Sequence, residues 1–253
     1  MNDEQIRKMV REGYAQHAKT GSSCCGSSSG CGCGPTVDDM SRAMGYTDAD
    51  LQSARDGANL GLGCGNPVAL ASLREGETVL DLGSGAGFDC FLAAQRVGPA
   101  GSVIGVDMTP EMLERARDNA CKGGYANVEF RLGEIEHLPV ADGSVDAVIS
   151  NCVINLSPDK PAAFREAFRA LRPGGRLMVS DIVLLRELPD AVRKSMEAYV
   201  ACVAGASLKD EYLEAIRGAG FQDVRIAEET TYAVDERLGI HAASVKVEAR
   251  KAG

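Results

Sequence analysis

The chain has 253 residues, 45% of them hydrophobic, and a formal charge of −9, which predicts one large α/β unit with small additions rather than two full domains. The acidic balance excludes a nucleic-acid polyanion as partner, because phosphate binding needs a net basic face, and favours a small neutral or cationic one. No run approaches the roughly 18 apolar residues of a membrane-spanning helix, and Met1–Lys8 has no apolar signal segment, so a cytoplasmic protein with no membrane contact is expected.

Taken in chain order, Ile6, Met9, Val10 and Tyr14 fall at helical spacing, which predicts an amphipathic helix over 3–18 that packs on something else. Residues 20–35 are Gly/Ser-rich, hold Cys24, Cys25, Cys31 and Cys33, and lack side chains to fill a core, so a flexible loop is expected. Thr36-Val-Asp-Asp39 and Thr47-Asp-Ala-Asp50 have the form of helix starts, and Asn66-Pro67 sets a capping side chain before a first-turn proline. From residue 76 strand and helix signals alternate, the pattern of a mostly parallel, doubly wound sheet. Strands are predicted at 78–82, 102–107, 127–132, 145–150 and 175–184. Helices are predicted near 87–97, from Thr109-Pro110 to about 122, and over 159–171, 189–205 and 208–218, the last entered by Ser207-Leu-Lys-Asp210. A final pair, 223–228 and 244–250, alternates apolar and polar residues and is expected to close the sheet edge antiparallel.

The segment Val79-Leu-Asp-Leu-Gly83-Ser-Gly85-Ala-Gly87-Phe-Asp89 is the most specific cofactor signal. An apolar strand running into closely spaced glycines lets the backbone approach a ligand at the carboxyl end of the strand, where open α/β sheets bind. A dinucleotide fingerprint would place its third glycine at position 88, which is Phe, so the pyrophosphate reading weakens. An acid two residues before the first glycine remains, with Asp107 closing the next strand, and an ionised Asp there suits a ribose diol.

On these residues, over about 66–185, the sequence resembles the class I S-adenosylmethionine-dependent methyltransferases. The resemblance implies a Rossmann-like fold and S-adenosylmethionine as methyl donor, with no structural metal. It implies that Gly83, Ser84 and Gly85 lie under the methionine part, Asp81 near its cationic end, and Asp107 with Met108 at ribose and adenine. Gly133, Glu134 and Ile135 would flank the adenine, and Asn151 would face the methionine part.

Nine cysteines, no secretion signal and an odd count predict sulfur used for metal binding, redox cycling or nucleophilic work rather than a static disulfide framework. Cys64 lies between glycines before a capped helix, Cys152 follows the fourth strand, and Cys202 lies in a helix after the fifth. The carboxyl end of that fourth strand opens on the cofactor crevice, so Cys152 should face it. Three converging thiolates suit a thiophilic centre and not Mg²⁺ or Ca²⁺. Cys90 and Cys121, inside predicted helices, are expected to be small buried hydrophobes. The histidines His17, His137 and His241 have no partners at metal or triad spacing, and the acid-rich face Glu111/Glu114/Arg115/Asp118 is expected to be solvated.

Gly61-Leu-Gly-Cys64-Gly-Asn-Pro67, Ser150-Asn-Cys152-Val-Ile-Asn-Leu-Ser-Pro158, the Tyr199 to Ala206 segment and the Cys24-Cys25 pair resemble the arsenite methyltransferases along nearly the whole chain. That resemblance implies methyl transfer to trivalent arsenic, from arsenite or its thiol conjugates, held by Cys152 and Cys202 with Cys64 as third ligand or redox partner. It also implies that Cys64 forms a redox pair with Cys24 or Cys25, reset by thioredoxin or another dithiol. Cys31-Gly-Cys33 is left as an exposed scavenging or incidental pair. The expected organisation is 1–65 as helix, mobile Cys loop and short helices, 66–185 as the cofactor-binding core, and 186–253 as substrate-site helices and closing strands. Two other readings keep part of this pattern: a methyltransferase of a small organic substrate with structural cysteines, and a metalloid-binding thiol protein without turnover.

Overall fold

The computed structural model describes residues 2–20, 36–53, 57–63, 65, 70, 72–188, 204–235 and 240–253. The expected helix over 189–205, the Cys-rich loop and the Asn66-Pro67 start lie wholly or almost wholly outside these residues. Seven strands form one sheet in the order β3-β2-β1-β4-β5-β7-β6. They are β1 Thr78–Leu82, β2 Ser102–Asp107, β3 Val128–Leu132, β4 Val145–Asn151, β5 Leu171–Leu184, β6 Gln222–Asp235 and β7 Ile240–Arg250. The first five run parallel, β7 pairs antiparallel with β5, and β6 pairs antiparallel with β7. β5 begins four residues earlier than the sequence predicts, because Arg172-Pro-Gly-Gly175 is absorbed as an irregularity between the pairs Val145/Leu171 and Ala147/Arg176.

The helices are α1 Asp3–Thr20, α2 Val37–Ala43, α3 Asp48–Ser53, α4 Phe88–Val97, α5 Pro110–Gly123, α6 Lys160–Ala170 and α7 Lys209–Gly218. Thr36 starts α2 with a full capping box: its hydroxyl accepts from Asp39 N, and Asp39 Oδ2 accepts from Thr36 N. Thr47 and Asp50 repeat the arrangement before α3. Two expected caps are corrected. Thr109 flanks α5 without a side-chain cap bond, its own N–H being held by Asp107 instead, and α7 is entered from Leu208, which has no capping oxygen.

Each central strand is covered on both faces, which explains its nearly continuous apolar run. Leu80, Leu82, Val148, Leu177 and Val179 pack toward Phe164 of α6 and Tyr212 and Ile216 of α7. Val79, Val103, Ala147 and Ile149 pack toward Phe91, Leu92 and Val97 of α4 and Leu113 of α5. Burying one such side chain is worth about 1.5–3 kcal/mol, so the two clusters fix the register of the sheet and bring the carboxyl ends of β1, β2, β3 and β4 to one rim. At the opposite end the chain's last residues are tied down: Gly174 N donates to Lys251 O, Lys251 N to Gly175 O, and Lys251 Nζ to the carbonyls of Phe168 and Leu171.

α1 lies across the rim and packs on α5. Arg115 Nη1 donates to Ala18 O and its Nε to Gly57 O, so this arginine pins two segments and is not part of a merely solvated face. No helix among the described residues is long and apolar enough to cross a membrane.

Candidate active site

The rim holds a cavity that is open to solvent on one side. Gly83, Gly85, Asp107, Met108, Gly133 and Ile135 line it, all six anticipated from sequence. Its remaining walls come from Arg7, Val10 and Tyr14 of α1, from Leu62, Thr109 and Glu136, and from Val153, Leu156, Ser157 and Pro158 after β4.

The glycine turn is built by backbone geometry. Gly83 and Gly85 have φ of 68° and 52°, a region that side chains disfavour. A Cβ on Gly83 would overlap the methyls of Val153, while Gly85 has open space where a side chain would stand. Gly83 N and Ser84 N donate to Val106 O (2.7 and 3.0 Å), which stitches the turn to β2. Asp107 then fixes it from the other side, accepting Gly85 N at Oδ2 (3.0 Å) and Thr109 N at Oδ1 (2.8 Å).

Three acids stand about this turn, Asp81 and Asp89 buried and Asp107 half-buried. Burial pushes Asp81 well above the usual carboxylate range, with neighbouring Asp89 adding to the effect, and burial also raises Asp89 and Asp107. None of the three is paired with a basic side chain among the described residues. Asp81 instead accepts from the Cys90 thiol (3.1 Å), whose own deprotonation is made harder by burial and by Asp81. Cys90 is buried as the sequence suggested, but Cys121 is exposed: it stands on the solvent side of α5, opposite the face that buries Leu113, Ala116 and Ala120.

Asn151 is engaged on its own side. Its Nδ2 donates to Asp89 Oδ2 (3.0 Å) and to the Tyr46 hydroxyl (3.1 Å), and that hydroxyl donates to Asp89 Oδ1 (2.6 Å). Gly63 packs directly against the Asn151 amide, where a Cβ would collide with it. Ser84 is buried, and its Oγ has no partner among the described residues. Glu134 does not line the cavity; it pairs with Arg7 and Arg11 of α1. Tyr46, Asp89 and Glu136 were not singled out in the sequence, although Asp89 stands two residues after Gly87.

Of the five cysteines assigned roles, Cys152 is the described one; Cys24, Cys25, Cys64 and Cys202 lie outside the described residues. Cys152 is buried, and its backbone is left-handed, φ 58°, one of two such non-glycine residues described. Its N–H donates to Ser180 O (2.8 Å). It is disulfide-bonded. Beyond Cys152, Asn155 Nδ2 donates to Asp181 Oδ1 (2.7 Å) and Ile182 O (2.6 Å), and Tyr212 donates to Asp181 Oδ2 (3.1 Å). Burial raises the Asp181 carboxyl to about 7.

Residues 73–220 match the family model described as a methyltransferase domain. The chain is 52% identical over 262 aligned residues, 98% of its length and 67% of the relative's, to an arsenite methyltransferase of Halobacterium salinarum. It is 46% identical to one of Aquipseudomonas alcaligenes over 70% of this chain, and it spans about half of that relative, 54%. Among solved structures it is similar to an arsenic (III) S-adenosylmethionine methyltransferase from Chlamydomonas reinhardtii, with TM-score 0.68, 36% identity, and coverage of 87% of this chain and 75% of that one. The cradle of glycines at the end of β1, the acid at the end of β2 and these likenesses agree, and the chain belongs to the arsenite methyltransferase family of methyltransferase-domain proteins.

Proposed function

We propose that the chain transfers a methyl group from S-adenosylmethionine to trivalent arsenic held by Cys152, Cys202 and Cys64. The observation that carries this reading is the position of Cys152. On one side its neighbour Asn151 abuts Gly63, next to Cys64; on the other, Val153 abuts Gly83 of the cofactor turn. Its own apolar cluster includes Ala204 and Ala206, two and four residues beyond Cys202. Soft thiolates beside a donor site suit a thiophilic element.

The cofactor supplies its methyl on a sulfonium, so a lone pair on arsenic suffices as nucleophile and no general base is needed. The chain's own residues bind and aim. Gly83 and Gly85 would admit the donor closely, Asp107 would accept its hydroxyls, and the buried acids Asp81 and Asp89 would favour its positive charge. Cys152, fixed by its left-handed backbone and the bond to Ser180, would hold arsenic beside the donor; such placement accounts for much of the rate in a two-reactant transfer. Transfer leaves the arsenic two electrons poorer. Cys64 with Cys24 or Cys25 returns both electrons by forming a disulfide and releasing two protons, and thioredoxin or another dithiol restores the thiols by exchange.

The test is product speciation. Purified protein with S-adenosylmethionine, arsenite and a thiol reductant should yield methylarsenicals by mass-resolved chromatography, and Cys152→Ser or Cys202→Ser should abolish them. Turnover retained in both variants would favour a small organic substrate. Tight arsenite binding with no S-adenosylhomocysteine formed would favour a metalloid-binding protein without turnover.

A further inference from the structure

We infer that Arg7 and Glu136 are positioning residues that hold α1 shut over the donor cavity and tie that closure to the turn behind Cys152; the inference rests on the methyl-donor reading above. Most of the cavity is lined by strand ends and the turns that follow them. α1, which is no part of the sheet, adds Arg7, Val10 and Tyr14. Its carboxyl-terminal half is pinned by Arg115 on Ala18 and by the Lys19–Glu111 pair. Its amino-terminal half is tied to the loop after β3 by two cations, Arg7 and Arg11, through Glu134 and Glu136.

Glu136 is the unusual member. Its side chain is 4% exposed, against 34% for Glu134, so its charge is costly without a partner. Oε1 accepts from Arg7 Nε and Nη2, both at 3.3 Å, and from the Ser157 hydroxyl at 2.7 Å. Ser157 closes the turn Ile154–Leu156 that follows Cys152, and its Oγ also accepts Asp159 N. One buried carboxylate therefore joins α1, the loop after β3 and the turn after Cys152. When α1 swings out to admit the donor, Glu136 loses its cation; when it closes, the cation returns and the Cys152 turn is braced. The covered cavity, rather than the chemical step alone, is what this contact sets.

Arg7→Met keeps the apolar stem and removes the charge; Glu136→Gln keeps an acceptor for Ser157 and removes the need for Arg7. S-adenosylmethionine binding should be followed by titration calorimetry, steady-state constants with arsenite and thiol, and hydrogen exchange of α1 amides with and without S-adenosylmethionine. In the unmodified protein the donor should slow α1 exchange. Each variant should bind it about tenfold more weakly, the scale of one part-buried charge pair, raise KM for the donor more than it lowers kcat, and lose the slowing. The double variant should be no worse than either single one, since the second change removes nothing further, and Arg7→Lys should recover part of the affinity. Unchanged donor affinity and α1 exchange in both single variants, or additive losses in the double, would overturn the inference. If the unmodified protein itself fails to bind S-adenosylmethionine, the donor reading falls instead.

Discussion

Replacing Asp181 by asparagine should flatten the pH dependence of stability, by an amount that follows from its burial. Asp181 is 1% exposed, and burial outweighs its bonds from Ile182, Tyr212 and Asn155, raising its carboxyl from 3.8 to about 7. Between these values the folded chain keeps the proton while the unfolded chain has lost it. The folded state then binds more protons, so stability falls as pH rises from about 4 toward 7 and levels off above that. Integrating the linkage relation from about pH 5 to about pH 8 gives a loss of roughly 2.5 kcal/mol from this one group. The side chain of Asp181→Asn cannot ionise, yet it can still accept from Asn155 and Ile182 through its carbonyl oxygen. Denaturant melts of both proteins across that range should therefore show a difference in unfolding free energy that drifts by about that amount in favour of the variant as pH rises. Other buried acids titrate in both proteins and cancel in the difference. A difference that stays constant with pH would show that Asp181 is ionised throughout, and the reasoning would be refuted.

Three further outcomes are expected. Gly83→Ala meets both a φ of 68° and the methyls of Val153, so donor affinity should drop by at least about tenfold with partial recovery in Gly83→Ala/Val153→Ala; calorimetric affinity equal to that of the unmodified protein would contradict the cradle. Binding of the cationic donor should favour ionised Asp81, Asp89 and Asp107, all raised by burial, so it should release protons and tighten as pH rises; titrations in buffers of different ionisation enthalpy that reveal no net release would disprove this. Tyr46→Phe should cost about 1–3 kcal/mol in denaturant melts, because it withdraws a hydrogen bond from buried Asp89, and an unchanged midpoint would mean Asn151 alone satisfies that carboxylate.

Local signals made the scaffold legible. The alternation from residue 76 gave the parallel strands within a residue or two, except at β5, where a turn signal was folded into the strand's irregular start. The glycine turn, Asp107 and the loop after β3 were readable because backbone approach and strand ends leave marks within a few neighbouring residues. What stayed hidden depends on partners far apart in sequence. Tyr46 meets Asp89 across 43 positions and Arg7 meets Glu136 across 129, and no periodicity encodes such a meeting. α1 read correctly as an amphipathic helix, but its apolar stripe is the same whether it covers a core or a ligand. Cys90 likewise read as a buried hydrophobe, and burial gives no sign that its thiol serves Asp81.

The tie between Lys251 and the Gly174-Gly175 turn has a practical use. It fixes the last residues at the amino ends of the parallel strands, across the sheet from the cavity. An affinity tag, a fluorophore or a surface linker joined at Gly253 would leave the molecule on its far side. Immobilised that way, the enzyme would present its open rim to solution in every copy, an orientation suited to sensing arsenic at a surface.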